Sequence, residues 1–317
     1  MSFLYLAEAD VTQLLTMDSV LPIVERAFLE LSNKRADNVP RRRARAASTV
    51  LHNMSAAAEY LGVLGLKAYT TTKQGARFYV QLFDAASGEL LALLEADRLG
   101  QLRTGAVTGV ALKYLAPSAT SLALIGTGYQ AETQLVAAAA VLPLQTVRVF
   151  GRDEERRKTF AAKMSAQLDI DVVPAVTASA AIAELPIVIT ATSSSTPVLD
   201  GNDLASGTLV CATGSNWQQK AELDVTTVRR AELVVCDNVA ACELEAGDFR
   251  EALDQGVFAW DRAVNLGDII AGKLADLSRP RELTIFKSVG LAIEDVAVAH
   301  EVVRLAMEQG IGRRMNQ

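Results

Sequence analysis

The strongest constraint on this chain is the run Ser121-Leu122-Ala123-Leu124-Ile125-Gly126-Thr127-Gly128-Tyr129-Gln130-Ala131, a short apolar segment that breaks into glycines and passes into an alanine-rich stretch. Strand, tight turn and helix in that order are the first βα unit of a dinucleotide-binding fold. Gly126 permits the turn, Gly128 lets backbone approach a pyrophosphate, and Ala131 replaces the third glycine where strand and helix pack closely. The phosphates would rest on the positive end of the helix that starts near Tyr129. A second strand over 146–150 arrives where the crossover should end. An ordinary glycine turn would lack this flanking order.

Half of the 317 residues are hydrophobic, which is core enough for two domains. A net charge of -6 leaves no footprint for nucleic acid, and the basic run Arg41-Arg42-Arg43-Ala44-Arg45 is too local to make one. No apolar run reaches the roughly 20 residues that cross a bilayer, so no membrane partner is expected. Glu8 and Asp10 depart from a signal-peptide pattern, and the expected location is cytoplasmic. Cys211, Cys236 and Cys242 lack metal-ligand spacing and read as small core residues, with no metal expected.

In chain order, a strand over 3–6 precedes a helix that starts near Asp18, with Val20, Ile23, Val24, Ala27, Phe28 and Leu31 on one face and Asp18 as the cap. Strands follow over 41–49, 63–71, 78–83 and 90–94, the last two joined by the turn Asp84-Ala85-Ala86-Ser87-Gly88. A helix over 98–115 then delivers the chain to the glycine turn. Beyond it, strands over 171–174, 187–190, 208–212 and 232–236 alternate with helices, which implies a parallel doubly wound sheet. Ligands of such sheets bind at the carboxyl ends of the strands. A last helix, 291–309, carries an apolar face and is expected to return to the first module. The fold class is α/β, a Rossmann-type doubly wound sheet plus a mainly antiparallel α+β domain.

The end of the second strand, Phe150-Gly151-Arg152-Asp153, bears on coenzyme choice, because an acidic residue there holds the ribose hydroxyl of NAD. The acidic slot is empty and Arg152 offers bidentate donors to a phosphate, which favours NADP(H) over NAD(H). Two other readings stay open: Arg152 as part of a solvated helix start, and Asp153 turned inward to the ribose.

Several motifs in the same order and spacing resemble the ornithine cyclodeaminase/mu-crystallin family over nearly the whole chain. They are Gly65-Leu66-Lys67-Ala68-Tyr69, the stretch from Leu82-Phe83-Asp84 to Leu94-Glu95, Leu102-Arg103-Thr104-Gly105-Ala106, the glycine turn, and Phe286-Lys287-Ser288-Val289-Gly290-Leu291-Ala292-Ile293-Glu294-Asp295. The resemblance implies a nucleotide domain over 119–290 and a substrate-binding and dimerisation domain from both chain ends, 1–118 and 291–317, in a homodimer. It also implies hydride transfer between a nicotinamide and the imine carbon of a small imino or amino acid. Lys67, in an otherwise apolar strand where an unpaired ammonium is costly, would bind the substrate carboxylate and help proton transfer; without the resemblance, a snorkelling lysine is the alternative. Arg103 would be a second carboxylate ligand. The third, an arginine just after a proline, is Arg42 when counted from Pro40, although four arginines crowd the stretch and alternation puts Arg41, Arg43 and Arg45 on the other face. Thr104 and the backbone of Gly126, Thr127, Gly128, Tyr129 and Gln130 resemble phosphate contacts. Thr190, Ala191, Thr192, Ser288, Val289 and Gly290 resemble the nicotinamide side. Glu245, in Glu245-Ala246-Gly247-Asp248, is either an acid or base near the substrate or an exposed helix-end carboxylate. His52 would line the pocket near the arginine strand, and His300 would be structural.

One departure from the family pattern bears on activity. Where cyclodeaminases carry a catalytic aspartate before a Lys-x-Glu-Leu sequence, this chain has Asn216, ahead of Lys220-Ala221-Glu222-Leu223. An amide cannot serve as a carboxylate base. The expectation is therefore an NAD(P)H-dependent imino-acid reductase of the pyrroline-2-carboxylate or ketimine type. Alanine dehydrogenase and ornithine cyclodeaminase stand behind it, and a non-catalytic NADPH-binding protein like mu-crystallin is the alternative of another class.

Overall fold

A computed structural model describes residues 2–274, 277 and 279–316. In chain order its strands are β1 (Ser2–Leu6), β2 (Ala36–Arg45), β3 (Val50–Ala58), β4 (Val63–Thr72), β5 (Gly75–Asp84), β6 (Leu90–Glu95), β7 (Ser121–Ile125), β8 (Thr146–Phe150), β9 (Asp171–Pro174), β10 (Ile187–Thr190), β11 (Thr208–Ala212), β12 (Ala231–Cys236), β13 (Ala263–Asn265), β14 (Leu283–Lys287) and β15 (Arg313–Asn316). The chain divides into two compact units, residues 1–104 with 290–317 and residues 105–289.

The first unit is a sheet in the order β15-β1-β6-β5-β4-β3-β2, antiparallel except where β1 runs parallel to β6. One face, with Met54, Ala56, Lys67, Tyr69, Val80 and Leu82, is buried, and the helix Ala292–Gln309 packs across β3 and β4 on that side. Gly65 allows the close approach: a Cβ there would stand 2.8 Å from the Val296 side chain and from the Gln81 carbonyl. The last helix thus returns to the first module, as its apolar face requires. The opposite face leaves Val39, Leu51, Leu64 and Met315 between 38% and 46% exposed. The helix Met17–Ser32 packs beside the last helix, and its cap is Thr16 rather than Asp18. Thr16 is in extended backbone and accepts from the Ser19 amide, which places Asp18 inside the first turn.

The second unit is a parallel sheet in the order β13-β12-β14-β11-β10-β7-β8-β9. Strand order reverses at β7, the switch point at which such sheets open a ligand crevice. Strands β10 and β11 are buried throughout, as an apolar run covered on both faces should be. The strand β14 lies between β11 and β12 and had no counterpart in the sequence expectation. The three cysteines are buried thiols of this unit. Among the described residues no helix is long and apolar enough to cross a membrane.

Candidate functional site

The glycine turn has the geometry of a pyrophosphate cradle. Gly126 sits at φ +131°, and a Cβ there would strike the Ala191 carbonyl oxygen, so the first glycine is demanded by both conformation and space. Its amide donates to the Phe150 carbonyl at 2.8 Å, tying the end of β7 to the end of β8. Gly128 is different: it caps the helix Tyr129–Val141 with no side-chain hydrogen bond, and a Cβ on it would meet nothing within 4 Å. The thirteen-residue helix therefore begins, positive dipole end first, beside the open space at Gly128. That is the shape and charge an anionic diphosphate needs. Thr127 packs on Gly151, whose missing side chain leaves room for it. Beyond β8, Arg152 is exposed, Asp153 is used as a helix cap accepting from the Arg156 amide at 2.9 Å, and Arg157 is buried, donating to the Gly151 carbonyl at 2.7 Å. Thr104 donates to the Gly100 carbonyl one turn back in its own helix.

At the carboxyl ends of β10, β11, β12 and β14 lies a set of buried charges to which the sequence expectation gave no role. Glu222 accepts from the Thr190 hydroxyl at 2.9 Å and, at 2.7 Å each, from the Thr192 amide, the Thr192 hydroxyl and the Gly214 amide. Asp237 accepts from the Asn238 and Val289 amides at 2.7 Å, the Ser288 hydroxyl at 2.9 Å and the Cys242 thiol at 3.3 Å. Lys287, fully buried, pairs with Asp248 at 2.7 Å and donates to the Ser215 carbonyl at 2.8 Å, next to half-buried Asn216. Asp248 in turn accepts from the Glu222 amide at 2.6 Å. Burial pushes the Glu222 carboxyl up, opposed by the Lys287 ammonium. Glu245 is buried at the end of the helix Val239–Glu245. In its motif, Gly247 and Asp248 shape the neighbouring loop, since a Cβ on Gly247 would strike the Trp217, Gln218 and Lys220 carbonyls. The signal for Lys287 was the one that singled out Lys67, a charge in an otherwise apolar strand.

The first unit holds a compact cationic cluster. Lys67 points from β4 and donates to Asp295 Oδ1 at 2.6 Å, and the same oxygen accepts from Arg103 Nε at 3.0 Å. Arg103 Nη1 also meets Glu294 at 2.7 Å. Lys67 is 2% exposed and both carboxylates 0%. Gly290, at φ +79°, makes room for the Arg103 guanidinium, 2.6 Å from where a Cβ would be, and its carbonyl accepts from Arg41 at 3.3 Å. Burial, then the Arg103 charge, draws the Lys67 ammonium down to about 8 against the pull of Asp295.

Arg41 is the buried arginine of β2, and Arg42 is exposed. A bulge between Val39 and Arg42 is the cause: Val39 pairs with Ser55 and Arg42 with Asn53, so one extra residue swaps the faces beyond it. Arg43 pairs with His52, which stacks on Tyr69 at 4.1 Å, and Tyr69 stacks on Phe78 at 5.0 Å. Burial, then the arginines, lowers His52 to about 4, so its ring is uncharged at neutral pH. His300 is half-buried on the last helix.

The sequence profile of the ornithine cyclodeaminase/mu-crystallin family matches residues 3–310. A Delta(1)-pyrroline-2-carboxylate reductase of Bacillus cereus is 36% identical over 271 residues, 83% of each chain. The structure of Thermococcus litoralis Delta(1)-pyrroline-2-carboxylate reductase in complex with NADH and L-proline superposes with a TM-score of 0.93 at 32% identity, covering 98% of this chain and 99% of the other. An archaeal alanine dehydrogenase dimer with bound NAD superposes equally well, TM-score 0.93, at 29% identity over 100% and 99% of the two chains.

Proposed function

Because this chain belongs to the ornithine cyclodeaminase/mu-crystallin family, we propose that it is a nicotinamide-dependent oxidoreductase that reduces a small cyclic imino acid, of the pyrroline-2-carboxylate or ketimine type, to the L-amino acid. The observation that carries the substrate class is the buried convergence of three cationic side chains, in which Lys67 and Arg103 meet on Asp295 and Arg41 donates to the Gly290 carbonyl beside the Arg103 guanidinium. Guanidinium and ammonium groups gathered in one buried place offer charge-assisted donors to a small carboxylate. Arg41 and Arg103 hold that carboxylate, the first in the place the count from Pro40 assigned to Arg42. Lys67 supplies the proton to the imine nitrogen. The coenzyme rests on the backbone of Gly126, Thr127, Gly128, Tyr129 and Gln130, with Thr104 toward the phosphates and Thr190, Ala191, Thr192, Ser288, Val289 and Gly290 toward the nicotinamide. When bound, the reduced nicotinamide provides the hydride for the imine carbon.

The test is coenzyme oxidation with pyrroline-2-carboxylate, piperideine-2-carboxylate, and pyruvate plus ammonia, together with ammonia release from ornithine. Turnover on the cyclic imino acids supports the proposal. Turnover on pyruvate plus ammonia alone would replace it with alanine dehydrogenase. Ornithine deamination would do so with cyclodeamination, which Asn216 argues against because its amide is no base. Tight coenzyme binding with no turnover would overturn it in favour of a binding protein.

Two further expectations concern single groups. A proton donor must be protonated, and Lys67 sits near 8, so kcat/KM for reduction should fall as pH rises through about 8 while amino-acid oxidation rises through the same value. Profiles flat to pH 9 would remove Lys67 from that role. Arg152 is the expected contact of a ribose phosphate, Asp153 being occupied as a cap. Arg152→Ala should raise KM for NADPH about tenfold and leave NADH unchanged, by the worth of one charged hydrogen bond. An equal effect on both coenzymes would remove the preference for NADP(H).

We assign coenzyme binding to the parallel-sheet unit, and substrate binding and self-association to the other. The exposed apolar residues Val39, Leu51, Leu64 and Met315 share the sheet face opposite the one that the last helix covers, the natural contact of a cytoplasmic homodimer.

A further inference from the structure

Glu294 and Asp295 stand side by side in the first turn of the last helix, both wholly buried, and their oxygens are used differently. Glu294 uses both: Oε1 accepts from the Leu291 amide at 3.0 Å and so caps its own helix, and Oε2 accepts from Arg103 Nη1 at 2.7 Å. Asp295 gathers its two donors, Lys67 Nζ at 2.6 Å and Arg103 Nε at 3.0 Å, on Oδ1 alone. Its other oxygen, Oδ2, is buried and has no hydrogen-bond donor among the described residues.

A buried carboxylate oxygen without a donor is costly, and folded proteins keep few of them. The surroundings of this one are mostly apolar. Met54 and Val80 flank Lys67 on the adjoining strands, and the Lys67 ammonium lies 5.5 Å from the centre of the Phe78 ring and 6.0 Å from that of Tyr69. As the anionic member of two salt bridges, Asp295 has acceptor sites and no proton to give. What Oδ2 lacks is therefore a donor. The cations that meet on Oδ1 are those to which the substrate carboxylate is assigned above, and a single carbon separates Oδ1 from Oδ2. In an imino acid a single carbon likewise separates the carboxylate carbon from the nitrogen.

We infer that Asp295 Oδ2 receives the hydrogen on the substrate nitrogen, that of the protonated imine before reduction and that of the amine after it, and thereby selects imino acids over 2-oxo acids of the same shape. This rests on the proposed seat of the substrate carboxylate at Lys67 and Arg103. In the reduction a proton leaves Lys67 Nζ for the lone pair of the imine nitrogen, the hydride adds at carbon, and the C=N π pair becomes the lone pair of the amine. Asp295 neither gains nor loses a proton, and it binds the nitrogen most strongly once that atom has become cationic. A 2-oxo acid would turn the lone pairs of its carbonyl oxygen toward those of Oδ2, so the same oxygen disfavours it.

The experiment uses two planar anions of one shape, pyrrole-2-carboxylate, whose ring carries an N–H, and furan-2-carboxylate, whose ring has an oxygen in that place. Their dissociation constants are measured by calorimetry, with and without NADH, in the wild type, Asp295→Asn and Glu294→Gln. The wild type should bind the pyrrole acid about tenfold or more tightly than the furan acid, the worth of one hydrogen bond to a charged acceptor. Asp295→Asn keeps an amide oxygen toward Lys67 and Arg103 and puts an NH2 where Oδ2 was, so the preference should vanish or reverse. Glu294→Gln should weaken both acids alike and keep the preference. A purely structural role for Asp295 predicts the same equal weakening in Asp295→Asn, and a preference that survives there would overturn the inference. Should Asp295→Asn not fold, the wild-type comparison decides: a tenfold preference supports the inference, and a ratio near one, as for an oxygen served by water, overturns it. Turnover of pyrroline-2-carboxylate with a ratio near one would overturn this inference and leave the proposed function standing. Binding of neither acid would overturn the carboxylate seat and this inference with it.

Discussion

Lys67→Met is expected to lower kcat/KM for imino-acid reduction by about a thousandfold while coenzyme affinity stays within twofold of the wild type. General acid catalysis by a positioned side chain contributes roughly 10²–10⁴ in rate, and the same ammonium also helps balance the substrate carboxylate. The replacement is close in length and apolar, so it fills the buried space beneath the last helix. Asp295 loses one of its two cationic partners and keeps Arg103 at 3.0 Å, which holds the destabilisation below the roughly 3–5 kcal/mol of a buried charge left alone. Kinetics measured well below the melting temperature thus separate chemistry from folding. Wild-type rates in this variant would end the proposal that the cationic cluster is the substrate site.

The second large effect is expected at the glycine turn, where two glycines a residue apart should behave differently. Gly126→Ala forces a side chain into φ +131° and onto the Ala191 carbonyl, so β7 and β10 must move apart at the switch point. Backbone strain of that kind costs about 1–3 kcal/mol, and a backbone clash adds to it. The melting temperature should fall by roughly 5–10 °C and coenzyme affinity by at least a hundredfold. Gly128→Ala meets nothing within 4 Å and keeps an ordinary φ of -96°, so the coenzyme-free protein should melt where the wild type does. Its added methyl occupies the space in which the proposed coenzyme's diphosphate would rest, and affinity should fall about tenfold or more. Calorimetric melting with and without NADH distinguishes the two. Equal melting and equal affinity in both variants would mean that the turn is not a phosphate cradle.

Much of this protein was legible in one dimension. The strands over 121–125, 187–190 and 208–212 fall where the apolar runs put them, because strands covered on both faces must be almost wholly apolar, and those over 146–150 and 171–174, buried only in part, also fall where expected. Lys67 stood out as a charge in such a run. The misses have equally physical causes. The strand Val50–Ala58, with the sequence VLHNMSAAA, is small and polar enough to lack a strand signal, and it forms only because β2 and β4 pair with it on both sides. Thr16 rather than Asp18 capped the first long helix because cap choice depends on local backbone angles that spacing does not reveal. Strand alternation could not foresee the bulge that carries Arg41 inward in place of Arg42.

Sequence alone determined the class of fold and the kind of ligand, since a glycine turn after a buried strand and an apolar helical face follow from short-range spacing that a linear chain already contains. Only the tertiary structure decided which charges act together. Lys67 and Asp295 are separated by 228 positions and meet at 2.6 Å, and Glu222 joins loops from two neighbouring strands. The reason is electrostatic: a buried charge is tolerated only beside its partner, and which partner lies beside it is set by how the elements stack.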